Sequence, residues 1–128
     1  TPFDRSKFWE LHLQTRGSLE NLVLQECNQN PGEHNIENDQ LEIFVCAASV
    51  NFRDVLNILD MYPGDPGAPG CEYAGIVRRA GKAVTRFQVG DEVVGLGEGC
   101  FSQLLIVNQG DPNVARPRVL LICDLPQI

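Results

Sequence analysis

The chain has 128 residues, 43% hydrophobic and 21% charged, the balance of a soluble domain with a core of its own and too short for two ordinary domains. Its net charge of −7 argues against a nucleic-acid binder, whose affinity rests on lysine and arginine neutralising phosphates. No apolar run approaches the roughly 20 residues that cross a bilayer, so no membrane partner is expected.

Five cysteines without a C-x-x-C pair, and a start with no basic-then-apolar leader, point to free thiols in a reducing, cytoplasmic setting. The chain opens on Thr1 and closes in mid-pattern at Leu125-Pro126-Gln127-Ile128, so it reads as a piece of something larger.

From Phe8 to Thr15 apolar and polar residues loosely alternate, Arg16-Gly17-Ser18 marks a turn, and Leu22 to Gln25 is a second short apolar stretch, together a β-hairpin. Cys27 to Gln40, rich in Asn, Gln, Pro and Gly, reads as a surface loop. "LEIFVCA", Leu41 to Ala47, has the composition of a strand buried on both faces. Phe52, Val55, Leu56 and Leu59 fall at i, i+3, i+4 and i+7, the apolar stripe of a two-turn helix. Asn51 is placed to cap it, with Asp54 able to reach back to the Asn51 N–H.

Strands follow at Glu72 to Arg79, Glu92 to Gly95, Phe101 to Val107 and Val119 to Cys123, with turns at Ala80-Gly81-Lys82 and Gly90-Asp91 and a polar loop from Asn108 to Arg118. The pattern is mainly β, an antiparallel barrel or sandwich with one short helix and no βαβ alternation.

Gly95-Leu96-Gly97-Glu98-Gly99 is a poor phosphate cradle, because a strand follows it and Glu98 sets an anion among its amides. His12, His34 and the scattered cysteines lack the spacing of a structural zinc site. Arg78, Arg79, Lys82 and Arg86 form a basic cluster, read as a solvated face or as a docking point for an acidic protein. Tyr62, fixed by the Pro63-Gly64 turn, is either an amphipathic rim residue or a phenol placed to donate a proton.

The series "RGSLENLVL", "AASVNFRDVLNILDMYPGDPG", "GCEYAGIVRRAGKAVTRFQVGDEVVGL" and "FSQLLIVN" resembles, in order and spacing, the start of the enoylreductase domains of modular polyketide synthases. These belong to the medium-chain dehydrogenase/reductase superfamily, with the quinone oxidoreductases. The resemblance implies a GroES-like, partly open β-barrel with one or two short helices, a single substrate-binding domain over residues 1–128. An NADPH-binding Rossmann domain would follow it, and the fragment alone is expected to be inactive.

The chemistry implied is reduction of an α,β-unsaturated thioester on an acyl carrier protein, in concert with the rest of the polyketide synthase. Tyr62 would protonate the α-carbon, and Asn51, Phe52, Arg53, Asp54, Met61, Cys71 and Glu72 would wall the pocket. Zinc alcohol dehydrogenases of the same superfamily place ligands at the positions of Asn51 and Cys71; here asparagine replaces the cysteine ligand and one possible ligand does not make a site, so metal-free chemistry is expected. Asp60 stands where these enoylreductases have glycine, and the loop from Asn108 to Arg118 is longer than theirs. Two further readings stay open: a free-standing quinone or enone oxidoreductase, and a non-catalytic binding module.

Overall fold

A computed structural model describes residues 6–27 and 36–117. His34 and the strand expected from Val119 to Cys123 lie outside the described residues.

The expected hairpin forms from β1 (Trp9–Leu13) and β2 (Leu22–Glu26), paired antiparallel with Leu11 opposite Leu24. A 3-10 turn at Leu19–Asn21 joins them, and Ser18 Oγ accepts from Glu20 N–H. A five-stranded antiparallel sheet makes the body of the fold, from β3 (Gln40–Ala48), β4 (Glu72–Ala80), β5 (Glu92–Leu96), β6 (Leu104–Asn108) and β7 (Val114–Ala115). Its order is β6-β3-β4-β5-β7. The sheet curls as a half-barrel, and the hairpin closes against it where Leu11 N–H donates to Phe101 O and Gln103 N–H to Trp9 O.

The core lies inside the curl, where Leu41, Ile43, Tyr73, Val77, Phe87, Val93, Cys100 and Val114 pack together. A mainly β, GroES-like half-barrel with one α-helix is therefore present as expected. Strand β7 was not expected, because its two residues sit in what reads as a polar loop.

Strand β3 departs from the two-sided burial read from its sequence. Leu41, Glu42 and Ile43 are buried, whereas Cys46, Ala47 and Ala48 are exposed. Glu42 is the surprise: its side chain is fully buried, held by Arg78 Nη1 at 3.0 Å and by Arg79 through Nε and Nη2. Register explains how two successive arginines reach one carboxylate. Glu42 faces Arg79 and Ile43 faces Val77, so Arg78 is the extra residue of a β-bulge, and the usual alternation of sides fails there. Arg78 and Arg79 of the basic cluster are thus engaged by Glu42, while Lys82 and Arg86 stay exposed. Arg78 also lies over the Phe8 ring at 4.8 Å, and Arg86 donates to Gln109 O and stacks on Phe87.

Helix α1 (Phe52–Ile58) follows β3. Its buried residues are Asp54, Asn57 and Ile58, while Phe52 is 74% exposed and Val55 lies at the surface. The apolar stripe therefore does not face the core; the polar side does, because its carboxylate and amide find backbone partners there. The helix ends as the sequence does not foresee. Met61 N–H donates to Leu56 O and Asp60 N–H to Asn57 O, a Schellman closure with Asp60 at φ 60°, the position that glycine normally takes. A side chain in this left-handed conformation is strained, so Asp60→Gly is expected to raise stability by up to about 1 kcal/mol, read as a higher urea midpoint with unchanged slope. A lower midpoint would show that the aspartate makes a compensating contact.

Candidate functional site

The site expected from the sequence spans α1, the loop that follows it and the start of β4. Asp54 is its mechanical centre. One carboxylate oxygen accepts the Asn51 N–H at 2.9 Å, and the other accepts the Gly70 N–H at 2.8 Å with the Cys71 thiol 3.4 Å away. This returning half of a capping box ties the start of α1 to the start of β4. Gly70 must be glycine there: its φ is 99°, and a Cβ would stand 2.7 Å from the Cys100 and Phe101 nitrogens.

Asn57, one turn on, accepts from Arg16 Nε at 2.9 Å and donates to Gly67 O at 3.0 Å. Arg16 also donates to Gly67 O and to Asp65, and Gly17 N–H donates to Ile58 O. The end of the hairpin thereby grips both the helix and its loop.

Tyr62 sits in the bend after the helix, half-buried. The Arg53 guanidinium lies over its ring, 5.0 Å from the centroid, and donates to Pro66 O at 3.4 Å. Among the described residues the phenol hydroxyl has no hydrogen-bond partner, so it is free to donate to a bound molecule.

Asn51 and Glu72 are linked through a residue the sequence reading passed over. Ser49 donates to the Glu72 carboxylate and accepts from the Asn51 amide at 3.4 Å. Ser49 and Glu72 line an apolar cleft of about 600 Å³ together with Ala47, Ala48, Ala74, Val94 and Leu96. No local pattern marks Ser49, because the contact bridges 23 positions.

The structure thus brings the expected residues together in three groups: Arg53 with Tyr62, Asp54 with Cys71, and Asn51 with Glu72 through Ser49. Phe52 and Met61 point outward, 74% and 66% exposed, beside the equally open Val50. The Cys71 thiol is raised above its ordinary pKa by burial first and by the Asp54 carboxylate second, which keeps it a neutral thiol rather than a thiolate ligand or nucleophile at neutral pH. Cys100 behind it, fully buried, is pushed up to about 11 by burial and by the nearby Cys71, Asp54 and Glu72.

Among the described residues no group of three histidine, cysteine or acidic side chains is arranged to hold a metal ion. Nor is there a strand, glycine turn and helix to seat a pyrophosphate. The glycines after β5 lead through residues 100–103 to β6, and Glu98 accepts the Ala68 N–H at 3.0 Å. No helix of the described residues is long and apolar enough to cross a membrane.

Comparison with known proteins places these features. Residues 37–119 match the alcohol dehydrogenase GroES-like domain. The chain is 40% identical over 101 residues to the phenolphthiocerol synthesis polyketide synthase Pks15/1 of Mycobacterium bovis, a match covering 79% of this chain and 5% of that protein. It is also 40% identical over 108 residues to polyketide synthase GfsB of Streptomyces halstedii, covering 84% of this chain and 2% of the synthase.

Among solved structures it resembles the CurK enoyl reductase with a TM-score of 0.73 at 27% identity, over 88% of this chain and 36% of that one. The JamJ enoyl reductase gives 0.70 at 26%, over 88% and 35%. The chain therefore spans a few per cent of the synthases and about a third of the enoyl reductases. Half-barrel, family match and relatives agree: the chain belongs to the alcohol dehydrogenase GroES-like domain family of the medium-chain dehydrogenases/reductases, and is related to polyketide synthases and to solved enoyl reductases.

Proposed function

We propose that the chain is the substrate-side part of a polyketide-synthase enoylreductase, acting on an α,β-unsaturated thioester carried by an acyl carrier protein. The observation that carries this reading is Tyr62, a half-buried phenol with a free hydroxyl, braced by Arg53 at the foot of a helix that is itself bolted at both ends. The polyketide synthases among its relatives support the substrate class.

In this reading NADPH, when bound, would supply the hydride that the β-carbon takes up. The described residues offer no seat for its phosphates, so the cofactor would be held elsewhere in the synthase, and the chain alone is expected to be inactive. What the chain contributes is a proton. The Tyr62 O–H bond breaks as a C–H bond forms at the α-carbon of the enolate, and the phenolate regains its proton from water. Asn51 supplies an amide oriented by Ser49, which in turn is held by Glu72. The exposed Val50, Phe52 and Met61 would lie against the remainder of the enzyme, which is consistent with so much exposed apolar surface at and beside α1.

Tyr62→Phe in the full-length enzyme tests the assignment. With an α-methyl enoyl thioester the expected result is an altered configuration at the α-carbon and a rate loss of about tenfold, since water can protonate the other face. An unchanged configuration and rate would remove Tyr62 from the chemistry.

A further inference from the structure

We infer that Arg53 is the positioning residue of Tyr62: its guanidinium clamps the phenol ring against the loop and so decides which direction the hydroxyl faces. The inference rests on the reading of Tyr62 as the proton donor, and extends it to a residue that does not itself touch the reacting atoms.

The geometry is that of a strap. Arg53 leaves the first turn of α1, and its guanidinium lies between two points of the loop that follows the helix. One point is the Tyr62 ring at 5.0 Å, within the roughly 6 Å over which a cation and an aromatic face attract. The other is the Pro66 carbonyl at 3.4 Å. Pro66 cannot drift, because Gly67 beside it is held three ways: its carbonyl accepts from Asn57 and Arg16, and its N–H donates to Asp65 Oδ1 at 2.9 Å. The guanidinium therefore hangs from a fixed loop and presses on the one aromatic ring there.

One face of that ring is covered and its hydroxyl is unbonded, which leaves the hydroxyl to meet a substrate. The task suits arginine specifically. A planar guanidinium can stack on a ring and donate in its own plane at once, whereas an ammonium is a point charge that does one or the other. Arg53 is exposed, so its charge adds little stability by a surface ion pair, and it has no carboxylate partner in the described residues. Its contacts are spent on the tyrosine and the loop.

Tyr62 and Tyr73 are the two tyrosines of the sequence, which makes a direct test possible on this chain. Labelled with fluorotyrosine, it should give two fluorine NMR signals, and Tyr73→Phe identifies which belongs to Tyr62. The expected result is a Tyr62 signal displaced from that of the free amino acid, moving most of the way back in Arg53→Met and part of the way in Arg53→Lys. A Tyr62 signal that stays in place in Arg53→Met would overturn the inference.

In the full-length enzyme, Arg53→Met should erode the α-carbon configuration about tenfold through loss of orientation, with KM within about twofold of the parent. It should change nothing further in a Tyr62→Phe background, and Arg53→Lys should restore part of the fidelity. A configuration preserved in Arg53→Met but lost in Tyr62→Phe would also overturn it. If Tyr62→Phe itself changes nothing, the proton-donor reading fails, and the fluorine signal still decides whether Arg53 orders the ring.

Discussion

Replacing Glu42 by alanine is expected to destabilise the domain by about 3 kcal/mol, enough to leave a marginal protein substantially unfolded. The carboxylate is fully buried and is the shared acceptor of Arg78 and Arg79 at the bulge in β4. Removing it takes from two partly buried guanidiniums the carboxylate they share. Because both arginines keep about a third of their surface in water, the loss belongs at the lower end of the range for broken buried pairs.

Glu42→Gln separates charge from shape, since the amide keeps the volume and one acceptor; it should fall between parent and alanine. The pH dependence follows the same carboxylate. Burial alone would raise its pKa, but the hydrogen bonds and charges of Arg79 and Arg78 outweigh burial and hold it below the ordinary 4.5. A folded value below the unfolded one means that the stabilisation is complete above about 4.5 and is lost as pH falls through the folded value. Urea midpoints measured at neutral and at acid pH should therefore converge between parent and Glu42→Gln. Equal midpoints at neutral pH would refute a stabilising role.

Gly95→Ala is expected to cost about as much, near 3 kcal/mol, for a steric reason. Gly95 faces Tyr73 across the β4–β5 ladder, and the tyrosine ring lies over it. A Cβ built at Gly95 would stand 2.3 Å from Tyr73 Cζ and its hydroxyl oxygen, well inside van der Waals contact. The ring cannot swing aside, because Tyr73 is buried among Phe87, Val93, Cys100 and Val114. Shortening the partner should relieve the clash: Tyr73→Leu with Gly95→Ala is expected to be more stable than the two separate losses predict, by about 2 kcal/mol of coupling. Additive losses would show that the strain at residue 95 comes from the backbone.

The Tyr73 hydroxyl adds a smaller effect of opposite sign. It is buried with no hydrogen-bond partner among the described residues, and burial first, then the nearby Cys100 and Asp111, push it up to about 12, so it stays neutral. Tyr73→Phe should therefore be stabilising by about 1 kcal/mol rather than neutral, because it removes an unsatisfied group.

How much of this was legible beforehand depends on what kind of contact made it. The hairpin and strands β4 and β5 follow from alternation and turn residues, which are local. The existence of α1 follows from a 3.6-residue period, but its orientation does not. A period marks a stripe without saying what lies opposite, and here Asp54 and Asn57 were drawn inward by the Gly70 N–H and the Gly67 carbonyl.

The bulge at Arg78 was invisible for a similar reason: register is a property of two strands, and only pairing shows that Glu42 takes two neighbours. Tyr62 stood out as a phenol beside a Pro-Gly turn, while Arg53 looked like a solvent-exposed side chain, because the eight residues between them fold back only once the helix has ended. Ser49 carried no signal at all.

The inverted helix has a consequence for how this site can change over evolutionary time. A helix seated by greasy packing resists substitution on the face that does the packing, and that face is usually the one nearest a ligand. Here the seat is made of directional bonds from Asp54 and Asn57 to main-chain atoms and to Arg16. The outward residues Phe52, Val55 and Met61 are thereby released from holding the fold together. Selection can rework their size and shape to suit whatever comes to lie against them without renegotiating the position of the helix.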